Sequence, residues 1–218
     1  RFKIEEGTNI FDLKKLLVSS KLKLDCPDFN CLKNQLNFTE GTLMPETYFY
    51  NFNSPASNIL IKSQDSFIEY AELLWKKKQP SNPLKTLDEA IILASIVEKE
   101  AGNNKEKPII AGVFLNRLNL NMRLQADPTI IYGLLPNFNG NITKSNLQDS
   151  SNRYNTYKIK GLPPTPIAMI SKSSLEAVIL GIPNNYVYFV AKGDGTHYFS
   201  TKYSDHLKAV RKFQLNKS

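Results

Sequence analysis

The residues best placed to do chemistry lie at the end of one predicted helix. The spacing predicts that helix over residues 86–102, TLDEAIILASIVEKEAG, with Leu93, Ile96, Val97 and Glu100 on one side of a 3.6-residue wheel. Leu93, Ile96 and Val97 are apolar, and Glu100 brings a carboxyl onto their stripe. Burial disfavours the charged form of a carboxyl and raises its pKa, which is the state a general acid needs. The competing reading is a solvated glutamate that bends out to water near a helix end. Glu98 lies roughly opposite, near Ile91, Ala94 and Ser95. It reads as structural, or as the partner of Arg117 or Arg123.

Further candidates follow in four polar stretches. Asn116 and Arg117 close the next predicted helix. Arg123, Gln125 and Asp127 lie in RLQADPT, Tyr154, Asn155 and Tyr157 in YNTY, and His197 in HYFST. Asp127 before Pro128 reads as a helix N-cap rather than a second acid, because that residue pair suits a helix start. Asn116 and Gln125 suit hydrogen bonds to a polar ligand, or equally a structural hydrogen bond. Arg117 and Arg123 suit a substrate carboxylate or a protein one. Tyr154, Asn155 and Tyr157 offer aromatic faces and an amide to a ligand, or simple packing. His197 on an alternating strand faces a cleft, or else lies at the surface or is satisfied by a protein partner.

The elements that must position these residues have clear sequence signals. Thr86 and Glu89 form an S/T-x-x-E capping box, and Gly102 stands where the helix should stop. Pro108 opens a helix over residues 108–118, and a short one follows over 129–133. Two alternating strands, residues 186–191 and 196–201, flank KGDG as a hairpin, before a final helix over 205–213. A short helix spans 173–180, and residues 135–172 form a long irregular region rich in Pro, Gly, Asn and Ser. Upstream, a short strand at 2–4 precedes a helix capped by Thr8 or Asn9, and a short helix spans 31–36. Residues 39–53 carry four aromatics as a packed loop or strand. An amphipathic helix covers 66–78, ending at a QPSNP break. The fold class is α+β.

Composition narrows the classes. The chain has 218 residues, 41% hydrophobic, with a formal charge of +8. Such a charge suits an anionic partner or a lysine-rich surface, and no nucleic-acid motif is present. No apolar run is long enough to span a membrane, and a chain starting at Arg1 reads as a fragment or processed form. Cys26 and Cys31 form either a short-loop disulfide or two free thiols, and with only His197 and His206 far away a zinc site is not expected. No glycine-rich phosphate loop follows a strand and no lysine stands out for a Schiff base, so neither metal nor pyridoxal cofactor is expected.

The stretches IVEKEAG, IAGVFLNRL, MRLQADPTIIYGL, RYNTYKIKGLPPTPIA and YFVAKGDGTHYFST resemble, in order and spacing, the endolytic murein transglycosylase (YceG-like) family. IEEG and EGTLMPETY near the start resemble its pre-catalytic region, part of it similar to a LysM unit that contacts glycan. The resemblance implies a LysM-like or pre-catalytic unit over 1–52, a connecting helix and linker over 53–85, and a catalytic domain over 86–218. It implies cleavage of nascent peptidoglycan glycan strands to 1,6-anhydro-N-acetylmuramic acid ends, with Glu100 as the catalytic acid. It further implies an inner-membrane anchor preceding residue 1, a periplasmic or extracellular site, and cell-wall synthases as partners. Family members often carry Thr after this Glu; here the residue is Ala101. A non-catalytic glycan-binding or scaffolding module is the second reading.

Overall fold

The computed structural model of the protein describes residues 1–215; the last three residues of the expected 86–218 unit lie outside them. Strand β1 (Phe2–Lys3) is followed by helices α1 (Ile10–Ser19) and α2 (Phe29–Leu36), and β2 (Thr47–Tyr48) returns antiparallel to β1. Asn9 caps α1, its side chain accepting from the Phe11 and Asp12 N–H groups, and Asp28 caps α2 in the same way at Cys31. Cys26 and Cys31 are disulfide-bonded across 5.7 Å between Cα atoms. Leu13, Leu17, Leu32, Phe38 and Leu43 fill a small core around this unit. Of the four aromatics over 39–53, Tyr48 is buried and Tyr50 half-buried, but Phe49 and Phe52 are 85% and 82% exposed, so the stretch is only partly packed.

Helix α3 (Ala56–Trp75) starts ten residues before the amphipathic pattern suggested. Its first turns pack Ala56, Ile59 and Leu60 into the small core and its last turns place Phe67, Ala71 and Leu74 in a larger one. A helix that serves two cores in turn shows no single apolar stripe, which is why its N-terminal half escapes a periodicity reading.

The larger core is helical. Helix α4 (Leu87–Glu100) packs on α5 (Lys107–Asn119) and α8 (Lys172–Ile179), and α6 (Asp127–Leu134) lies against α4. A short α7 (Lys144–Gln148) interrupts the long loop. Strands β3 (Tyr188–Ala191) and β4 (His197–Ser200) pair antiparallel with Phe189 opposite Phe199, and α9 (Tyr203–Val210) folds back over both before a π-helical turn, Arg211–Leu215. Among the described residues no helix is long and apolar enough to cross a membrane.

Three ties hold the small unit to the larger one. Gly7 N–H donates to the Met169 carbonyl and Met169 N–H to that of Thr8. The Lys99 ammonium on α4 donates to the Gly7 carbonyl. Glu40, 4% exposed, accepts from Ile10 N–H at the start of α1 and from the Tyr132 hydroxyl on α6, both at 2.9 Å. Burial pushes the Glu40 carboxyl up to about 7 against these two hydrogen bonds, and among the described residues its Oε1 has no partner.

Candidate active site

Helix α4 presents Glu100 from its last turn. Thr86 caps the start, its hydroxyl accepting from Glu89 N–H, while the Glu89 carboxylate turns to Lys85 N–H, so the box closes one residue early. Leu93, Ile96 and Val97 are fully buried, each contributing about 1.5–3 kcal/mol to the hold on the helix. The helix ends because Ala101 takes an extended conformation with its N–H on the Val97 carbonyl. Gly102 matters for closeness rather than handedness: a Cβ there would stand 2.6 Å from the Gly195 carbonyl oxygen of the β3–β4 turn. Asn103 also donates to that carbonyl, so the hairpin is docked on the end of the helix that carries Glu100.

The docking leaves a cleft of about 490 Å³ between α4, α6 and the C-terminal hairpin and helix. Glu100 lies in it, partly exposed. Its carboxyl is pushed up to about 8, first by burial, then by the negative charge of Asp127, with the Arg117 guanidinium pulling the other way. At neutral pH Glu100 therefore holds its proton. Asp127 accepts from the Tyr157 hydroxyl at 2.8 Å, and burial and Asp127 both push that phenol up, so Tyr157 remains a donor. Arg117 is 6% exposed and spends Nε on the Val187 carbonyl and Nη1 on that of Leu124. Its guanidinium lies 5.9 Å from the Tyr188 ring centre and 6.0 Å from that of Phe189.

Of the residues singled out in the sequence, Glu100, Arg117, Gln125, Asp127, Tyr157 and His197 line this cleft. Gln125 has a left-handed backbone (φ 51°), and its N–H bonds the Thr156 carbonyl. His197 gives both its N–H and Nδ1 to Glu106, each at 2.8 Å. Four residues are placed elsewhere. Asn116 donates to the Tyr186 carbonyl and steers the chain into β3. Arg123 is exposed outside the cleft. Tyr154 packs against Tyr132 and bonds the Thr165 hydroxyl, and Asn155 is fully buried, its amide satisfying three carbonyls between residues 146 and 149.

Two expectations are corrected. Asp127 is not an N-cap: Ala126 holds that position, and the Asp127 side chain is turned to Tyr157 and the cleft. Thr129 supplies the local bond instead, its hydroxyl donating to the Ala126 carbonyl. For Glu98 the structural alternative holds and the arginine one does not: it pairs with neither Arg117 nor Arg123. It meets the buried Lys107 ammonium at 3.1 Å and accepts from the Ser171 N–H and the Ser171 and Ser174 hydroxyls. Burial would raise it, but these hydrogen bonds and Lys107 outweigh burial and hold it below the ordinary value. Glu98 is thus an ionised clamp joining α4, α5 and α8, and Glu100, two residues on, is the protonated one.

Sequence reading missed Tyr188, Tyr203, His206 and Gln214, which form the far wall of the cleft. The larger hollow, about 900 Å³ on the N-terminal unit, is bordered by charged side chains such as Lys3, Glu5, Asp12 and Lys15 and shares no lining residue with the Glu100 cleft. No group of three or more metal-ligating side chains gathers among the described residues.

Fold and cleft together define an α+β protein built around one protonated carboxyl at a helix end. The chain matches the YceG-like family over residues 1–212 and belongs to it. It is 35% identical over 211 residues to a Bacillus subtilis (strain 168) protein named endolytic murein transglycosylase, matching 91% of this chain and 56% of that one. A Streptococcus pneumoniae (strain ATCC BAA-255 / R6) protein of the same name is 31% identical over 176 residues, 78% of this chain and 31% of that protein. The chain thus spans about half or less of the length of these relatives. A crystal structure of a YceG-like protein from Listeria monocytogenes is similar in fold, with a TM-score of 0.76 and 31% identity, over 95% of this chain and 75% of that one.

Proposed function

We propose that this chain is the glycan-cleaving part of an endolytic peptidoglycan lytic transglycosylase with Glu100 as its single acid and base. The observation that carries the reading is a carboxyl held protonated to about pH 8 and partly open to a cleft. Glu100 gives its proton to the glycosidic oxygen as the bond from the anomeric carbon of N-acetylmuramic acid to N-acetylglucosamine breaks. The C6 hydroxyl of the same sugar then attacks that carbon, and its proton returns to Glu100. The product is a 1,6-anhydro end and no water is consumed. Intramolecular attack has a large effective concentration, so no second carboxylate is needed to activate a nucleophile. Asp127 serves this scheme by keeping Glu100 protonated, and the Arg117 guanidinium steadies the carboxylate formed midway.

The relatives' name supports this substrate, and residues 86–218 are proposed as the catalytic unit. Residues 1–52, two paired strands with two helices between them, are proposed as the LysM-like glycan contact, joined by 53–85. An anchor preceding residue 1, a site outside the cytoplasmic membrane and synthase partners complete the proposal. The Cys26–Cys31 disulfide suits an oxidising compartment. Mass spectrometry of digested glycan strands tests the reading: anhydro-muropeptides should be released by the wild type and not by Glu100→Gln. Binding of sacculi without any cleavage by the wild type would favour a glycan-binding scaffold instead.

A further inference from the structure

The chain contains two histidines, and both line the cleft opposite α4. The mechanism above uses neither. His197 is accounted for by its two bonds to Glu106. His206 is not. It rises from α9, its ring stacked on Tyr188 at 5.2 Å between centres and 23° between planes, with Tyr203 tilted beside it. Its Nδ1 is buried and has no hydrogen-bond partner among the described residues. Its Nε2 also bonds none of the described residues and, unlike Nδ1, is not sealed off.

A sealed, unpartnered N–H costs more than a sealed lone pair, so the ring's proton belongs on Nε2. Burial, and then the Arg117 guanidinium, hold the imidazole below its ordinary pKa, which leaves it neutral with that single proton. A neutral donor at the edge of an aromatic plate is the pattern that receives a sugar: the ring faces take the C–H face of the pyranose and the N–H takes an oxygen. The Gln214 amide lies on the same wall.

We propose that His206 is a substrate-binding residue, its Nε2–H donating to a neutral oxygen, hydroxyl or acetamido carbonyl, of the sugar that sits against Tyr188. This rests on the glycan reading above but not on Glu100 chemistry. A neutral oxygen is chosen over a carboxylate because a neutral imidazole adds no charge attraction.

The experiment compares His206→Gln with His206→Asn. The Gln amide nitrogen reaches the place of Nε2, whereas that of Asn reaches only the place of Nδ1. Affinity for uncrosslinked glycan strands is measured by titration calorimetry in a Glu100→Gln background, and kcat/KM for release of anhydro ends in the otherwise wild-type protein. His206→Gln should bind within about threefold of the parent, and His206→Asn should lose about tenfold in both readouts, the worth of one neutral hydrogen bond. Should His206→Asn lower the Tm, His206→Phe takes its place, since its ring keeps the stack on Tyr188 while lacking the donor. Equal affinity for Gln and Asn variants overturns the proposal, as does wild-type affinity in the variant lacking the donor. If the wild type cleaves but the donor's loss changes neither readout, His206 fails and the transglycosylase reading stands. If nothing is cleaved yet the donor's loss weakens binding, the reverse holds.

Discussion

The raised pKa of Glu100 makes it a liability for stability as pH rises, and Glu100→Gln should remove that liability. The folded state holds the proton up to about pH 8, whereas an unfolded chain releases it near 4.5. A group whose folded pKa is raised contributes stability that is fully present below its unfolded pKa and is lost as pH rises through the folded one. At 1.36 kcal/mol per pH unit, the gap between 4.5 and about 8 has an upper bound of ~5 kcal/mol. Glu100 is partly open to the cleft, where water screens it, so a loss of ~2 kcal/mol is expected between about pH 5 and 8. In a chain of this size that is a Tm difference of roughly 4–8 °C. The assay is thermal unfolding by circular dichroism at several pH values for both proteins. The Gln variant carries its own constant offset, and Glu40 titrates alike in both. Only the slopes decide: the wild type should lose stability with pH more steeply than Glu100→Gln. Parallel curves would show that Glu100 is not held protonated by the fold.

Four further outcomes are expected. Asp127→Asn removes the nearest negative charge, so the alkaline fall of kcat/KM, set by loss of the Glu100 proton near pH 8, should move to lower pH; an unmoved limb contradicts the Asp127 contribution. Glu98→Ala strands the buried Lys107 ammonium and should destabilise by about 3–5 kcal/mol, read as a lowered denaturation midpoint. Gly102→Ala drives a methyl into the Gly195 carbonyl and should cost about 1–3 kcal/mol, with a fall in kcat as the end of α4 shifts; unchanged kinetics would separate hairpin docking from Glu100 geometry. Glu40→Gln keeps the shape of the tie to Ile10 and Tyr132 and should flatten the loss of stability between about pH 5 and 7, measured by chemical denaturation across that range.

What was legible in the sequence was local. The apolar stripe of α4, the caps at Thr86 and Asn9 and the helix start marked by Pro108 are matters of spacing within one element, and local patterns report them. Glu100 could be separated from Glu98 by the wheel alone, since Leu93, Ile96 and Val97 are all buried and Glu98 lies off their stripe. The partner of Glu98 could not. Lys107 lies beyond the helix end and Ser171 and Ser174 more than seventy residues on, a meeting produced by packing of α4 on α5 and α8. Asp127 before Pro128 had the signature of a cap, yet Tyr157 thirty residues away claimed its carboxylate. The far wall of the cleft was hidden for the same reason. Tyr188 reads as part of an alternating strand and His206 as part of an amphipathic helix, with Tyr203 just before it, and only the return of α9 over the hairpin turns them toward Glu100.

In the proposed reaction one protonated carboxyl cuts the glycan without water. Digestion of uncrosslinked glycan strands in water enriched in oxygen-18, followed by mass spectrometry of the new ends, tests it most directly. The wild type should release 1,6-anhydro ends free of the heavy isotope, and Glu100→Gln none. Reducing ends that carry oxygen-18, or anhydro ends still released by the variant, would contradict it.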